Sequence, residues 1–181
     1  MKKVRFGVVG TNFITDWVIA GAREDERFEL AAVCSRTRER GEEFAAKHSI
    51  PHVFTSLEEM ASSDIVDAIY IASPNYMHCS QATLCMDYGK HVLCEKPAGR
   101  TYDEVLEMQK VQHETGMTLN IGVVNRFNDN VNAIKKYIDQ GKLGVKNGAG
   151  FYDYSDGKDD AVIKHRDEMF LKLSKCLFGE E

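Results

Sequence analysis

The 181-residue sequence lacks the features that mark membrane and nucleic-acid-binding proteins. No apolar stretch is long enough to span a bilayer, and there is no basic block or basic amphipathic helix. The formal net charge of −5 argues against a nucleic-acid-binding surface. No C-x-x-C pair occurs, and an odd total of five cysteines fits a reducing compartment better than a disulfide framework. We therefore expect a cytoplasmic protein with no nucleic-acid, membrane or metal partner.

Short apolar runs alternate with segments of helical periodicity, and hydrophobic residues make up 43% of the chain. The near-continuous apolar character of these runs is typical of strands that are buried on both faces. Six strands are predicted, at residues 4–9, 28–33, 52–54, 66–72, 91–94 and 117–124. A strand–helix alternation of this kind predicts an α/β fold, a doubly wound parallel Rossmann sheet.

Helix boundaries are marked by capping residues. Capping-box spacing predicts two helix starts, Thr55 with Glu58 and Thr101 with Glu104. Another helix is predicted from about Tyr76 to Tyr88. Glycines at the usual position after a helix predict three helix ends, at Gly89, Gly116 and Gly141. The last of these helices has three apolar residues on one face, Val131, Ile134 and Ile138.

The turn after the first strand, GVVGTNFIT at residues 7–15, is a candidate phosphate-binding turn. Glycines there let a pyrophosphate approach backbone N–H groups at a helix N-terminus. Gly10 is in place, but the second and third glycines of the usual pattern are Asn12 and Thr15. Asparagine tolerates a left-handed backbone, so we expect the turn to survive at Asn12. From these residues alone, a turn without a ligand fits equally well.

The end of the second strand carries Ser35, Arg36, Thr37 and Arg38, where an NAD-binding domain places Asp or Glu. A hydroxyl and a guanidinium suit a 2′-phosphate, because Arg presents a planar fork of donors. We therefore predict NADP as cofactor, with Arg36 as its ligand, and NAD as the alternative. Arg38 is expected to be a solvated residue at the helix start.

The segment ASPNYMH, residues 72–78, follows the fourth strand. Its Ser73, Pro74 and Asn75 are predicted to line the crevice at the carboxyl ends of the strands. His78 begins the next helix and is expected to be a structural cap or a surface residue, outside the catalytic set. The fifth strand ends in CEKP, which places Lys96 between Glu95 and Pro97.

Four segments, GVVGTNFI, YIASPNYMH, GKHVLCEKPAG and NRFNDNVNAIKKYIDQGKLG, occur in this order. Together they resemble the Gfo/Idh/MocA family of NAD(P)-dependent oxidoreductases over residues 1 to about 144. The resemblance implies a dinucleotide-binding Rossmann domain at residues 1–122 and the start of the family's second domain at 123–144. It also implies hydride transfer to or from a hydroxyl or carbonyl group of a sugar, an inositol or a related small molecule.

The same resemblance implies the roles of individual residues. Lys96 is the implied catalytic residue, which polarises the substrate oxygen or relays its proton. Pro97, with an imide bond that the family implies is cis, fixes the turn. The cofactor-binding residues indicated by the motifs and the resemblance are Gly7, Gly10, Thr11, Asn12, Phe13, Ile14, Ser35, Arg36, Ser73, Pro74, Asn75, His78, Glu95, Lys96, Pro97 and Arg126.

Residues 145–181 depart from the family pattern. Residues 145–181 contain no D-x-x-x-H element, and His165 has Ala161 where the aspartate would stand, so His165 is not assigned a role. The segment instead resembles the C-terminus of 3-hydroxyacyl-CoA dehydrogenases. We therefore expect a truncated or replaced second domain, and apolar surface that favours a homo-oligomer. Two alternatives stay open: a non-catalytic Rossmann remnant that binds NADP, and a fragment of a 3-hydroxyacyl-CoA dehydrogenase.

Overall fold

The structure, a computed structural model, describes residues 2–123, 129–143, 146–147, 149, 160–161, 163–169 and 171. It divides into two compact units, residues 1–123 and 124–181. Among the described residues no helix combines the length and the apolar character needed to cross a bilayer.

The first unit alternates strands and helices. The strands are β1 (Val4–Val9), β2 (Phe28–Cys34), β3 (His52–Phe54), β4 (Ala68–Ile71), β5 (His91–Glu95) and β6 (Leu119–Gly122). The helices are α1 (Phe13–Ala22), α2 (Arg38–His48), α3 (Leu57–Ser62), α4 (His78–Asp87) and α5 (Tyr102–Thr115). The strand order is β3-β2-β1-β4-β5-β6, and every neighbouring pair is parallel. The predicted doubly wound Rossmann sheet is confirmed.

Helices cover both faces of the sheet. All four residues of β4 are buried, and Ile69, Tyr70 and Ile71 alternate between two core clusters. Ile69 and Ile71 pack with apolar residues of α3, α4 and α5. Tyr70 packs with apolar residues of α1 and α2. Because β4 has helices on both sides, its sequence is an uninterrupted apolar run rather than an alternating one.

The predicted bounds of β4 were too wide. The strand begins at Ala68. The side chain of the preceding residue, Asp67, accepts from Arg5 Nε at 3.0 Å through its Oδ2. The Arg5 hydrogen bond also holds the pKa of the Asp67 carboxyl well below its usual range. At the other end, Ala72 still donates its N–H to Val9 O, beyond the last strand residue.

The capping box predicted at Thr55 and Glu58 is wrong by one residue. Ser56 is the N-cap of α3, and its Oγ accepts from Glu59 N at 3.3 Å. Because β3 pairs with β2 through Phe54, Thr55 belongs to the exit from the strand rather than to the helix. The box at Thr101 is confirmed, with its Oγ1 accepting from Glu104 N at 3.2 Å.

The helix predicted at residues 76–88 begins instead as a 3₁₀ turn at Asn75–Met77, followed by α4. The predicted glycine ends are confirmed, because Gly89 and Gly116 have φ of +71° and +70°. Such backbone angles are readily accessible only to glycine.

In the second unit the structure describes α6 (Asp129–Asp139), and Gly141 follows it with φ of +72°. Ile134 and Ile138 lie on this helix and are about half exposed, while the Val131 side chain falls outside the described residues. Most of 145–181 and Arg126 also lie outside them. The predictions for the second domain and for the tail therefore stay predictions.

A three-residue ionic contact joins α1 to α2. Asp16 accepts from Lys47 Nζ at 2.8 Å and contacts His48 Nε2 at 2.6 Å. The Asp16 side chain is 29% exposed. The hydrogen bond from Lys47, followed by that from His48, lowers the pKa of Asp16. The contact therefore links two helices that share the face of the sheet containing Tyr70.

We predict that Asp16→Asn lowers the free energy of unfolding by about 1 kcal/mol at pH 7. The folded pKa of Asp16 lies below its unfolded value of about 3.9. The contribution is therefore present above that value and is lost as the pH falls through the folded pKa. Urea unfolding at pH 7 and at pH 3 measures both effects. The control is Glu42→Gln, which breaks an exposed pair at 3.7 Å and should change stability by a few tenths of a kcal/mol. Equal losses in both variants would contradict the prediction.

Candidate nucleotide-binding site

The carboxyl ends of β1 and β4 enclose a cleft of about 400 Å³. β1 and β4 are neighbours in the sheet, but α1 and α4 pack on opposite faces. This divergence is the topological switch point at which open α/β sheets bind ligands. The cleft is lined by Val9, Gly10, Thr11, Asn12, Cys34, Ser35, Arg36, Arg40, Thr55, Leu57, Ala72, Ser73, Pro74, Met77 and Gln81.

Gly10 directly follows β1 and lines the cleft. Its φ is +100°, and a Cβ placed on it would lie 2.7 Å from Ala72 O. Both the backbone angle and the contact require glycine. This geometry is consistent with the position of Gly10 in the glycine turn indicated by the sequence.

Asn12 stands at the position of the second glycine, but its backbone conformation differs from the left-handed one considered from the sequence. Its backbone is extended, with φ of −102° and ψ of 173°, and not left-handed. Its Oδ1 accepts from Ile14 N at 2.9 Å and from Thr15 N at 3.3 Å, so Asn12 is the N-cap of α1. Its Nδ2 donates to Ala72 O at 2.8 Å. The side chain therefore caps the helix and ties it to the end of β4.

Backbone donors remain free beside this cap. Among the described residues, no acceptor lies within hydrogen-bond distance of the N–H groups of Thr11, Asn12 or Phe13. Thr15 stands at the position of the third glycine of the usual pattern. Its side chain makes a hydrogen bond within the turn, because Oγ1 donates to Gly10 O at 2.9 Å. Free N–H groups at the start of a ten-residue helix are suited to bind an anion.

Two guanidinium groups stand at the β2 end of the cleft. Arg36 follows Ser35 directly, and Arg40 lies one turn along in α2. Among the described residues, no carboxylate lies within salt-bridge distance of either. Arg38 instead pairs with Glu42 at 3.7 Å and does not line the cleft, as the sequence analysis expected.

The remaining wall of the cleft is mainly apolar. It is formed by Cys34, Leu57, Pro74 and Met77. Burial raises the pKa of the Cys34 thiol to about 11, so this thiol is neutral near pH 7. A neutral, apolar wall next to the two arginines suits a flat heterocycle attached to a charged group.

The turn that carries Lys96 is held from the strand side by Glu95. Glu95 Oε1 accepts from Tyr70 OH at 2.9 Å, and its Oε2 accepts from Lys96 N at 3.2 Å. Burial, together with the bond to Glu95, raises the pKa of Tyr70. A Cβ on Gly122 would lie 3.1 Å from Glu95 Oε1, so the glycine of β6 leaves space for this carboxylate.

His78 holds the same turn from the other side. It is 1% exposed, which excludes the surface position considered from the sequence. Its Nδ1 lies 2.7 Å from Pro97 O, and its Nε2 lies 2.9 Å from Ser73 O. The imidazole therefore links the end of β4 to the residue after Lys96. The peptide bond between Lys96 and Pro97 is cis, which confirms that expectation.

Lys96 itself is exposed at the end of β5. Among the described residues its Nζ has no acceptor within hydrogen-bond distance. The side chain is thus available to a ligand, although Lys96 does not line the 400 Å³ cleft.

Several other predicted cofactor residues also lie outside the cleft lining. Gly7 is buried within β1, where a Cβ would lie 2.9 Å from Met60 Sδ, so its role is packing. Phe13 and Ile14 are in the first turn of α1, and Phe13 is 62% exposed. Asn75 is exposed in the 3₁₀ turn, and Arg126 falls outside the described residues.

Sequence reasoning missed several residues of the site. Arg40, Thr55, Leu57, Met77 and Gln81 line the cleft, and Tyr70 orients Glu95. Arg40 had a usable signal, because it lies four residues after Arg36 and near the N-terminus of a predicted helix. Thr55, Leu57, Met77 and Gln81 are brought to the site only by the packing of α3 and α4.

A larger surface depression, of about 840 Å³, lies elsewhere, near Lys3, Gly21 and Glu24. Its charged residues Asp25 and Arg27 pair with each other at 2.5 Å, and it contains no helix start or glycine turn. Among the described residues, no three His, Cys, Asp or Glu side chains are grouped to hold a metal ion.

The parallel sheet, the glycine at the end of β1 and the free amides of α1 define a dinucleotide-binding domain. Residues 4–123 match the family model described as the oxidoreductase family with an NAD-binding Rossmann fold, Gfo/Idh/MocA. The chain belongs to the Gfo/Idh/MocA family.

Similar proteins act on inositols and sugar derivatives. The NADP(+)-dependent scyllo-inositol 2-dehydrogenase of Bacillus subtilis is 47% identical over 135 residues, which are 75% of this chain and 41% of that protein. The Bordetella pertussis dehydrogenase WlbA, solved with NADH and UDP-GlcNAcA, aligns with a TM-score of 0.74 and 31% identity over 79% of this chain and 41% of that one. Lactobacillus casei scyllo-inositol dehydrogenase, solved with NAD(H) and scyllo-inositol, aligns with a TM-score of 0.72 and 26% identity. The alignment covers 79% of this chain and 43% of that one. The chain thus spans less than half the length of these relatives.

We predict that Asn12→Ala lowers the free energy of unfolding by about 2 kcal/mol, because it removes both the cap and the bond to Ala72 O. Asn12→Ser keeps a capping oxygen but cannot reach Ala72, so it should recover about half of the loss. Urea unfolding of the three proteins measures both contributions. Thr101→Ala is the control, since it removes only a cap, on α5. A serine variant as unstable as the alanine variant would show that the cap contributes little.

Proposed function

We propose that this chain binds NADP and takes part in an NAD(P)-dependent oxidoreduction of a hydroxyl or carbonyl group on an inositol, a sugar or a related polyol. The observation that carries the proposal is the pair of unpaired guanidiniums, Arg36 and Arg40, in a cleft that begins at the free amides of α1. Family membership supports the oxidoreductase class.

The residues present fit the cofactor. The N–H groups of Thr11, Asn12 and Phe13 would hold the pyrophosphate. Arg36 and Arg40, with the hydroxyl of Ser35, would hold the 2′-phosphate through charge-assisted hydrogen bonds. The apolar wall of Leu57 and Met77 would pack on the base.

The nicotinamide of a bound cofactor supplies or accepts a hydride at the substrate carbon. This chain contributes Lys96, whose Nζ would donate a proton to the substrate oxygen during reduction or accept one during oxidation. A cation at that atom also stabilises developing negative charge on the oxygen. Glu95 and His78 hold the backbone on either side, so the side chain is presented from a fixed turn.

The substrate class is proposed from the relatives, which include a scyllo-inositol dehydrogenase and a dehydrogenase solved with UDP-GlcNAcA.

Residues 123–144 are proposed to begin the family's second domain. Self-association through apolar surface is likewise proposed, since Phe13 and Trp17 are 62% and 71% exposed.

We predict that the chain binds NADP more tightly than NAD, and that Arg36→Ala and Arg40→Ala each weaken NADP binding at least about tenfold. Neither substitution should change NAD affinity appreciably, because NAD lacks the 2′-phosphate. Calorimetric titration of both cofactors measures the ratio.

Arg38→Ala is the matched control for both variants. It removes the same charge from the same helix start, but Arg38 pairs with Glu42 outside the cleft. Its cofactor ratio should equal that of the unchanged protein. Tighter binding of NAD, or an unchanged ratio in both cleft variants, would overturn the assignment of this end of the cleft to the 2′-phosphate.

We further predict that Lys96→Ala lowers turnover at least about 100-fold while NADP affinity stays within about twofold, because only the proton-transfer group is lost. The measurement is NAD(P)H absorbance against a panel of inositols, sugars and small diols. Lys110→Ala, an exposed substitution on α5, is the control. Full turnover by Lys96→Ala would contradict the role of Lys96. NADP binding without any turnover would favour the non-catalytic alternative, and turnover of a 3-hydroxyacyl-CoA would redirect the substrate class.

A further inference from the structure

Gln81 is a polar residue in the otherwise largely apolar part of the cleft. It lies on the first turns of α4, in the same wall as Pro74 and Met77, and it is partly buried. A carboxamide in such a place needs partners, since an unsatisfied amide in an apolar surrounding is unfavourable. Its contacts therefore indicate what the wall is built to bind.

Only one end of this carboxamide is satisfied. Gln81 Oε1 accepts from Ser73 Oγ at 2.6 Å. Gln81 Nε2 has only the sulfur of Met77, at 4.0 Å, which is a weak acceptor. Ser73 thus fixes the amide with its oxygen on one side and leaves an N–H donor beside the apolar wall.

The position in the cleft identifies the part of a ligand that this donor would meet. The lining includes Thr11 and Asn12 at the start of α1, and Arg36 and Arg40 after β2. With the pyrophosphate and the 2′-phosphate held there, the heterocyclic base is the part left for the wall of Leu57, Met77 and Gln81.

We propose that Gln81 is the specificity-determining residue for the base of the dinucleotide, and that it selects adenine. The amide oxygen has a second lone pair that Ser73 leaves free, so Gln81 can still offer a donor and an acceptor side by side. Adenine offers the complementary pair, its 6-amino group and a neighbouring ring nitrogen. Hypoxanthine has an oxygen in place of that amino group, so it meets the Gln81 oxygen with an acceptor. This inference rests on the proposed function, because it takes the cleft to hold NADP.

The test compares NADP with its hypoxanthine analogue, nicotinamide hypoxanthine dinucleotide phosphate, by calorimetric titration. The unchanged chain should bind NADP about ten times more tightly than the analogue. Gln81→Met keeps the length of the side chain but removes both polar atoms. It should weaken NADP binding about tenfold and bind the two dinucleotides with nearly equal affinity.

Two comparisons keep the result interpretable. Gln109→Met makes the same change on the exposed face of α5 and should keep the original affinities. A melting curve for each variant separates loss of base contact from loss of folding. Gln81→Leu, which also removes both polar atoms, provides a second variant if the methionine variant unfolds.

The outcomes separate this inference from the proposed function. NADP binding with the same preference for adenine in Gln81→Met and Gln81→Leu overturns the role of Gln81 and leaves the proposed function standing. Equal affinity of the unchanged chain for the two dinucleotides also overturns the role of Gln81 and leaves the proposed function standing. Absence of NADP binding by the unchanged chain overturns both.

Discussion

The close approach of β1 to β4 at Ala72 is the contact on which the rest of the site depends. The backbone of Gly10 passes so near Ala72 O that no side chain fits, and the amide of Asn12 donates to the same oxygen. The two strands therefore end at one fixed point. From there α1 and α4 depart to opposite faces of the sheet, and the space between them is the cleft. The helix start, with its free N–H groups, takes its position from this contact.

A second set of contacts couples the cleft to the turn that carries Lys96. Ser73 uses its hydroxyl to hold Gln81 in the cleft wall and its carbonyl to contact His78. His78 in turn contacts Pro97 O, directly after Lys96. Ser73, which follows β4, thus contacts both the wall of the cleft and the turn that carries Lys96 through short, partly buried hydrogen-bond contacts.

The doubly wound parallel sheet was predictable because buried parallel strands have strong, uninterrupted apolar patterns and β4 is flanked by helices on both faces. Local signals were less reliable where two candidates were adjacent, as with Thr55 and Ser56, since the end of strand pairing decides which residue caps the helix. Contacts between distant segments had no local signal. The bond of Tyr70 to Glu95 and the burial of His78 arise from side chains that meet only after the sheet has formed.

The charge distribution gives the strongest physical reason to assign an anion to the β2 end of the cleft. Among the described residues, most other arginines have a carboxylate partner: Arg5 with Asp67, Arg27 with Asp25, Arg38 with Glu42, Arg100 with Glu104 and Arg166 with Asp167. Arg36 and Arg40 line one cleft without such a partner, and two like charges near each other repel. A phosphate between them would replace repulsion by two attractive contacts. The adjacent thiol of Cys34 is neutral and the wall beyond is apolar, so the anion would have to be one part of a larger ligand whose uncharged remainder covers that wall.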